Sequence, residues 1–163
     1  MRVTATILLA ACLLACARSS PLPNSHGSAE ELARAVLVAI ERRDVDALNA
    51  LALNESEFRE HVWPELPAAR PERNLPFSYV WGDLHQKSNA RLGRTLAEHG
   101  GKKYILVSIR FTGETTAYQS YRVHRQSEVA VRDAQGRDQN VRLFGSMIEK
   151  GGRFKVFSYV IED

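Results

Sequence analysis

At Gly100-Gly101 the apolar side chains change their spacing, and that change restricts the chain to one broad class of fold. Before the glycines, Leu32, Val36 and Ile40, and later Val80, Leu84, Leu92 and Leu96, recur at the period of one helix face. After them, Ile105, Val107, Ile109 and Phe111 alternate, and Tyr121, Val123, Val129 and Val131 share one parity, the period of a strand. Helices first and antiparallel strands after predict an α+β layer fold.

Local signals divide the two halves further. Ser28 with Glu31 reads as a capping box, and Arg42 and Arg43 suit the end of the helix it opens. Asp44 caps a second, short helix through Leu48 and Leu51. Asn54 with Glu57 opens a third, carrying Phe58 and Val62. Pro64, Pro67, Pro71 and Pro76 predict a loop over residues 64–76. Residues 77–99 read as a long helix, although Gly82 and Gly93 each oppose it by about 1 kcal/mol. Four strands are expected over residues 102–112, 116–133, 141–150 and 153–162. A turn at 134–137 and a hairpin at Gly151-Gly152 separate the later ones.

The start of the chain carries a different message. Met1-Arg2 is followed by an apolar run over residues 3–15, interrupted mainly by Thr4 and Thr6. A basic start, an apolar stretch of this length and small residues at its end predict a secretory signal peptide. Leu13-Leu14-Ala15-Cys16 resembles the lipobox of bacterial lipoproteins, in which the cysteine is acylated and becomes the mature N-terminus; Leu9-Ala10-Ala11-Cys12 is an alternative. Cleavage before Cys16 removes the whole apolar run, which favours it. The resemblance implies a membrane contact through acyl chains. With Ala17 rather than Asp after Cys16, it also implies the outer membrane, facing the periplasm. The expected organisation is a signal peptide over 1–15, a lipidated cysteine and Pro-rich flexible tether over 16–27, and one domain over 28–163.

No cysteine follows Cys16, so that domain has neither a disulfide nor a thiol nucleophile. The whole chain's 22 Lys+Arg and 19 Asp+Glu nearly balance, and no basic run is interleaved with aromatics, so nucleic acid is not an expected partner.

The order of elements resembles the NTF2-like group of the cystatin-like α+β superfamily. The first stretch carrying the likeness is Ala39-Ile40-Glu41-Arg42-Arg43-Asp44-Val45-Asp46-Ala47-Leu48, similar to that group's first helix, Asp turn and second helix. The second is Gly152-Arg153-Phe154-Lys155-Val156-Phe157-Ser158-Tyr159, similar to its last strand. The resemblance implies helices packed on a curved four-stranded antiparallel sheet. It does not imply a function, because the group includes isomerases, dehydratases and non-catalytic modules.

Candidate chemistry is sparse. His26, His61, His85, His99 and His124 show no zinc-helix spacing, so neither a metal nor another cofactor is expected. Ser146 lacks a nucleophile-elbow setting. The best constellation is Tyr79-Val80-Trp81-Gly82-Asp83-Leu84-His85 with Trp63 upstream. It offers His85 or Asp83 as acid or base in a pocket walled by Trp63, Trp81 and Tyr79. Against this, the tryptophans suit a core and Asp83 suits a surface pair with Lys87. A second set is the polar row of Arg122, His124, Gln126 and Glu128, joined by Arg110, facing either a ligand cavity or water. Without a complete catalytic set, the leading expectation is a non-catalytic module binding a small ligand or a protein. The alternative is an isomerase- or dehydratase-type pocket enzyme. Apolar residues on both parities of the last two strands also predict that the second sheet face is covered, by a second copy of the chain or by the loop at 64–76.

Overall fold

The structure, a computed structural model, describes residues 22–161. The signal-peptide and lipidation assignments, including Cys12 and Cys16, lie outside the described residues. Among the described residues, four α-helices precede seven strands: α1 (Ala29–Arg42), α2 (Val45–Leu51), α3 (Glu55–Glu57), α4 (Phe77–His99), β1 (Ile105–Phe111), β2 (Thr115–Ala117), β3 (Arg122–Arg125), β4 (Ser127–Arg132), β5 (Asp138–Val141), β6 (Ser146–Lys150) and β7 (Arg153–Ser158). The α+β class stands as expected. Among the described residues no helix is long and apolar enough to cross a membrane.

Capping side chains begin the first three helices. The Ser28 side chain accepts from Glu31 N, and Asp44 accepts from Ala47 N. Glu31 reaches Gly27 N, one residue short of closing the capping box. At α3 the box closes: Asn54 Oδ1 accepts from Glu57 N, and Glu57 Oε2 accepts from Asn54 N, both at 2.9 Å. Residues 64–76 are not an irregular loop. After a π-helical turn at Phe58–Val62, three short 3-10 turns follow, each with a proline in its first turn, where a missing N–H costs nothing.

The sheet corrects one expectation. There are two antiparallel sheets, β1-β4-β5 and β2-β3-β6-β7, where the sequence predicted one of four strands. The expected strand at 116–133 breaks into β2, β3 and β4; the one at 141–150 loses residues 142–145 from its middle. Gln126 adopts φ 54°, which turns the backbone between β3 and β4. Gly145 sits in the second break: its carbonyl accepts from Ser127 N at 2.9 Å and its N–H donates to Ser158 O at 3.1 Å. A Cβ there would lie 1.5 Å from Val160 O, so only glycine fits the corner.

The turn at Gln126 moves side chains of one parity to opposite sides. Val129 and Val131 of β4 join Leu32, Val36 and Ile40 of α1 and Met147 and Val156 in the first core. Val123 of β3 joins Tyr121, Ile148, Phe58 and Val62 in a second core. Trp63, Leu66, Phe77, Val80 and Trp81 pack against that second core. The four-stranded sheet is therefore covered on both faces within the chain. Residues 58–66 and α4 provide the second cover.

Residues 22–26, expected as part of a flexible tether, are docked on the domain. Leu22 is buried in the second core. His26 and Phe154 exchange backbone hydrogen bonds at 2.9 and 2.8 Å along the free edge of β7. Arg153 donates to Ser25 Oγ at 2.9 Å and to its carbonyl, and Lys155 Nζ donates to Pro23 O at 2.8 Å. Lys155 also forms an ion pair with Glu57 at 2.6 Å, with side-chain exposures of 2% and 6%.

Candidate functional site

The residues proposed from sequence as one pocket divide between two. Leu84 of α4 and Phe157 of β7 line both clefts, which lie to either side of them. The first, of about 330 Å³, is lined by Trp81, His85, Ser88 and Asn89 of α4, with Asn49 of α2 and Asn54 among its other walls. The second, of about 310 Å³, includes Asp83, Lys87, Arg125 and Ser146. His85 and Asp83 therefore face different spaces.

Within the first cleft the imidazole is held from two directions. The Trp81 and His85 rings stack with centroids 5.2 Å apart, and Trp81 leans on Phe58 at 5.3 Å. His85 Nε2 lies 3.2 Å from the Asn89 amide nitrogen, one helical turn on. Ser88 Oγ accepts from Tyr159 N at 3.0 Å, and the Tyr159 hydroxyl donates to Leu48 O at 2.7 Å. Burial raises the Tyr159 phenol well above its ordinary range, so it is a fixed neutral wall. Asp83 forms the surface pair with Lys87, at 2.7 Å, and their hydrogen bond raises the Lys87 ammonium pKa.

The remaining candidates stand elsewhere. Trp63 packs edge-on against Phe77 at 5.5 Å and does not line the His85 cleft. Tyr79 is 66% exposed. Arg110 pairs with Glu128 across β1 and β4 on the outer surface. The polar row does not survive as a row, because the backbone turn at Gln126 puts Glu128 on one sheet and Arg122 and His124 on the other.

His124 faces neither an open cavity nor water. Its ring lies between Phe111, at 4.7 Å, and Phe154, at 5.9 Å, both roughly parallel to it. Nε2 is 2.8 Å from Glu149 Oε2, and Nδ1 is 3.1 Å from Thr115 Oγ1. Arg122 approaches the other Glu149 oxygen at 3.6 Å. Sequence reasoning missed Thr115 and Glu149. The available signal was the Gln119-Ser120 turn, which makes Thr115 and His124 cross-strand partners.

A third cluster is structural. Glu65 accepts from Ser120 N at 3.1 Å and from its hydroxyl, and Lys150 Nζ donates to Ser120 Oγ at 2.9 Å. Burial raises the Glu65 carboxyl, but the bonds from Ser120 outweigh it and leave the pKa below its usual value. This network ties the proline-rich segment to the β2–β3 turn. No group of three His, Cys, Asp or Glu suited to a metal occurs among the described residues.

No protein family, curated protein or solved structure matches this chain.

Proposed function

We propose that the chain is an exported, lipid-anchored binding module of NTF2-like architecture, with its ligand seat in the cleft between α4, α2 and β7. The observation that carries this reading is the company His85 keeps. It meets an aromatic ring and an amide; Asp83, the alternative acid or base, lines the other cleft, and Glu55, the carboxylate in the His85 cleft, is paired with Arg59. General acid–base work needs an imidazole nitrogen within reach of the substrate's proton, whereas His85 Nε2 is engaged by the Asn89 amide. Binding needs an apolar wall and a few oriented polar groups. Leu84, Phe157 and Trp81 supply the wall. Asn49, Asn54 and Asn89 supply amides, which both donate and accept. Glu55 also lines the cleft, and its carboxylate is paired with Arg59 at 2.7 Å, so the lining as a whole suits a small polar molecule without a net charge. The anchor rests on the Leu13-Leu14-Ala15-Cys16 sequence, and the architecture on the order of helices and strands.

Amide and side-chain NMR shifts, followed while a panel of uncharged sugars and small amides is added, test the seat. The expected result is a saturable response at the Trp81 indole and the Asn49 and Asn89 side chains, abolished by His85→Ala with the fold intact. A response confined to another surface, or none across the panel, overturns the reading. Mass spectrometry of the mature N-terminus tests the anchor: an unacylated Met1 refutes export, and acylated Cys12 moves the site.

A further inference from the structure

At the β2–β3 end of the four-stranded sheet, away from the cleft, we propose that Thr115 is an acyl-accepting nucleophile, with His124 as its base and Glu149 as the group that orients the base. The inference rests on the direction of two hydrogen bonds. An ionised carboxylate only accepts, so the bond between Glu149 Oε2 and His124 Nε2 places the imidazole proton on Nε2. In the neutral imidazole Nδ1 then carries the lone pair. The only hydrogen available across the 3.1 Å to Thr115 Oγ1 is the hydroxyl's own. The hydroxyl donates to a base whose far side is fixed by an acid, which is the arrangement that activates Ser and Thr for covalent catalysis.

Packing supports a fixed role for the base. Phe111 and Phe154 cover both faces of the ring, and the His124 side chain is 15% exposed. Each of the three residues comes from a different strand: β2, β3 and β6. Thr115, by contrast, is exposed, on an edge strand that pairs only with β3. A histidine serving the fold alone would need no partner at the surface, and here its second nitrogen holds a solvent-facing hydroxyl.

The chemistry such a set supports without further help is acyl transfer from a donor with a good leaving group, such as an activated ester. The Thr115 Oγ1–carbonyl carbon bond forms as the hydroxyl proton passes to His124 Nδ1. The bond from that carbon to the leaving oxygen breaks, and its electron pair departs with the leaving group as an alkoxide or phenolate. The resulting imidazolium stays paired with the Glu149 carboxylate until the proton passes to solvent.

The test uses the full chain and p-nitrophenyl acetate, following phenolate release by absorbance and mapping acetyl groups by peptide mass. The expected result is one acetyl on the peptide carrying Thr115, formed in step with phenolate. Thr115→Val should abolish that adduct, and His124→Gln should slow it by about 100-fold or more. Glu149→Gln, whose amide donates to Nε2 and forces the proton onto Nδ1, should slow it by a similar factor, with part of the rate restored in Glu149→Asp. Acetylation confined to lysines, or phenolate release unchanged in Thr115→Val, overturns the proposal. Mapping on the unaltered chain decides the matter even where a variant fails to fold. Neither outcome bears on the His85 cleft.

Discussion

Replacing Lys155 with Met should destabilise the domain more than its single ion pair suggests. Lys155 Nζ stands 2.6 Å from Glu57 Oε1, and the Glu57 Oε2 atom accepts from Asn54 N. At that separation, with an effective dielectric of about 20, the attraction is about 6 kcal/mol. Taking both ions out of water costs several kcal/mol each, so the pair as a unit roughly breaks even. Removing Lys155 alone leaves the carboxylate buried with the Asn54 N–H and no counter-charge, at a cost of about 3–5 kcal/mol. The Pro23 carbonyl also loses a donor, worth about 1 kcal/mol. For a domain of this size, the sum corresponds to a fall in Tm of about 12–20 °C. Urea unfolding of the two single variants and of Lys155→Met with Glu57→Met closes a double-mutant cycle. The double variant should recover to within about 2 kcal/mol of the natural chain, the remainder being the lost capping bond. A cost below about 1 kcal/mol for Lys155→Met, or a double variant equal to the sum of the singles, refutes the reasoning.

Three further outcomes follow from the geometry. Gly145→Ala should prevent soluble expression or lower stability by more than about 4 kcal/mol, because the new methyl would meet the Val160 carbonyl. Gly82→Ala and Gly93→Ala, where nothing lies within 4 Å of the new carbon, should each stabilise α4 by about 0.5–1 kcal/mol, seen as a raised urea midpoint. Burial raises the phenol pKa of both Tyr121 and Tyr159, so the folded values exceed the unfolded one. Their contribution is complete below about pH 10 and is lost as pH rises beyond it, at about 1.4 kcal/mol per pH unit for each. In an alkaline titration, phenolate absorbance from these two should therefore appear together with loss of the far-ultraviolet circular dichroism signal.

How far the sequence could be read depended on whether the deciding partner was near in the chain. The Asn54–Glu57 box and the Gly151-Gly152 hairpin are settled within a few residues, and both form as read. The break at Gln126 is settled by distant chain. Tyr121, Val123, Val129 and Val131 share one parity, yet Val123 and Val129 enter different cores because the backbone turns between them. Period alone cannot show that, since a parity count carries no record of which side the strand faces after a bend. Trp81 and His85 were legible as neighbours because helix spacing brings them together. The same spacing pairs Asp83 with Lys87 away from them, and Asp83 lines the other cleft. For His124 the sequence offered two settings, a cavity or water. The observed one depends on Phe111 and Phe154, each from another strand.

The docking of residues 22–26 on β7 also sets how the domain bears a load. Any pull arriving from upstream of Leu22 meets the His26–Phe154 ladder, the Arg153 and Lys155 bonds and the buried Leu22 side chain before it reaches α1. The two backbone bonds and the side-chain bonds lie side by side along an edge strand, so tension shears them together instead of unzipping them singly. The first helix is thereby shielded from traction. The chain upstream of α1 is thus fixed to the domain as far as Leu22, and Gly27 is not a free pivot.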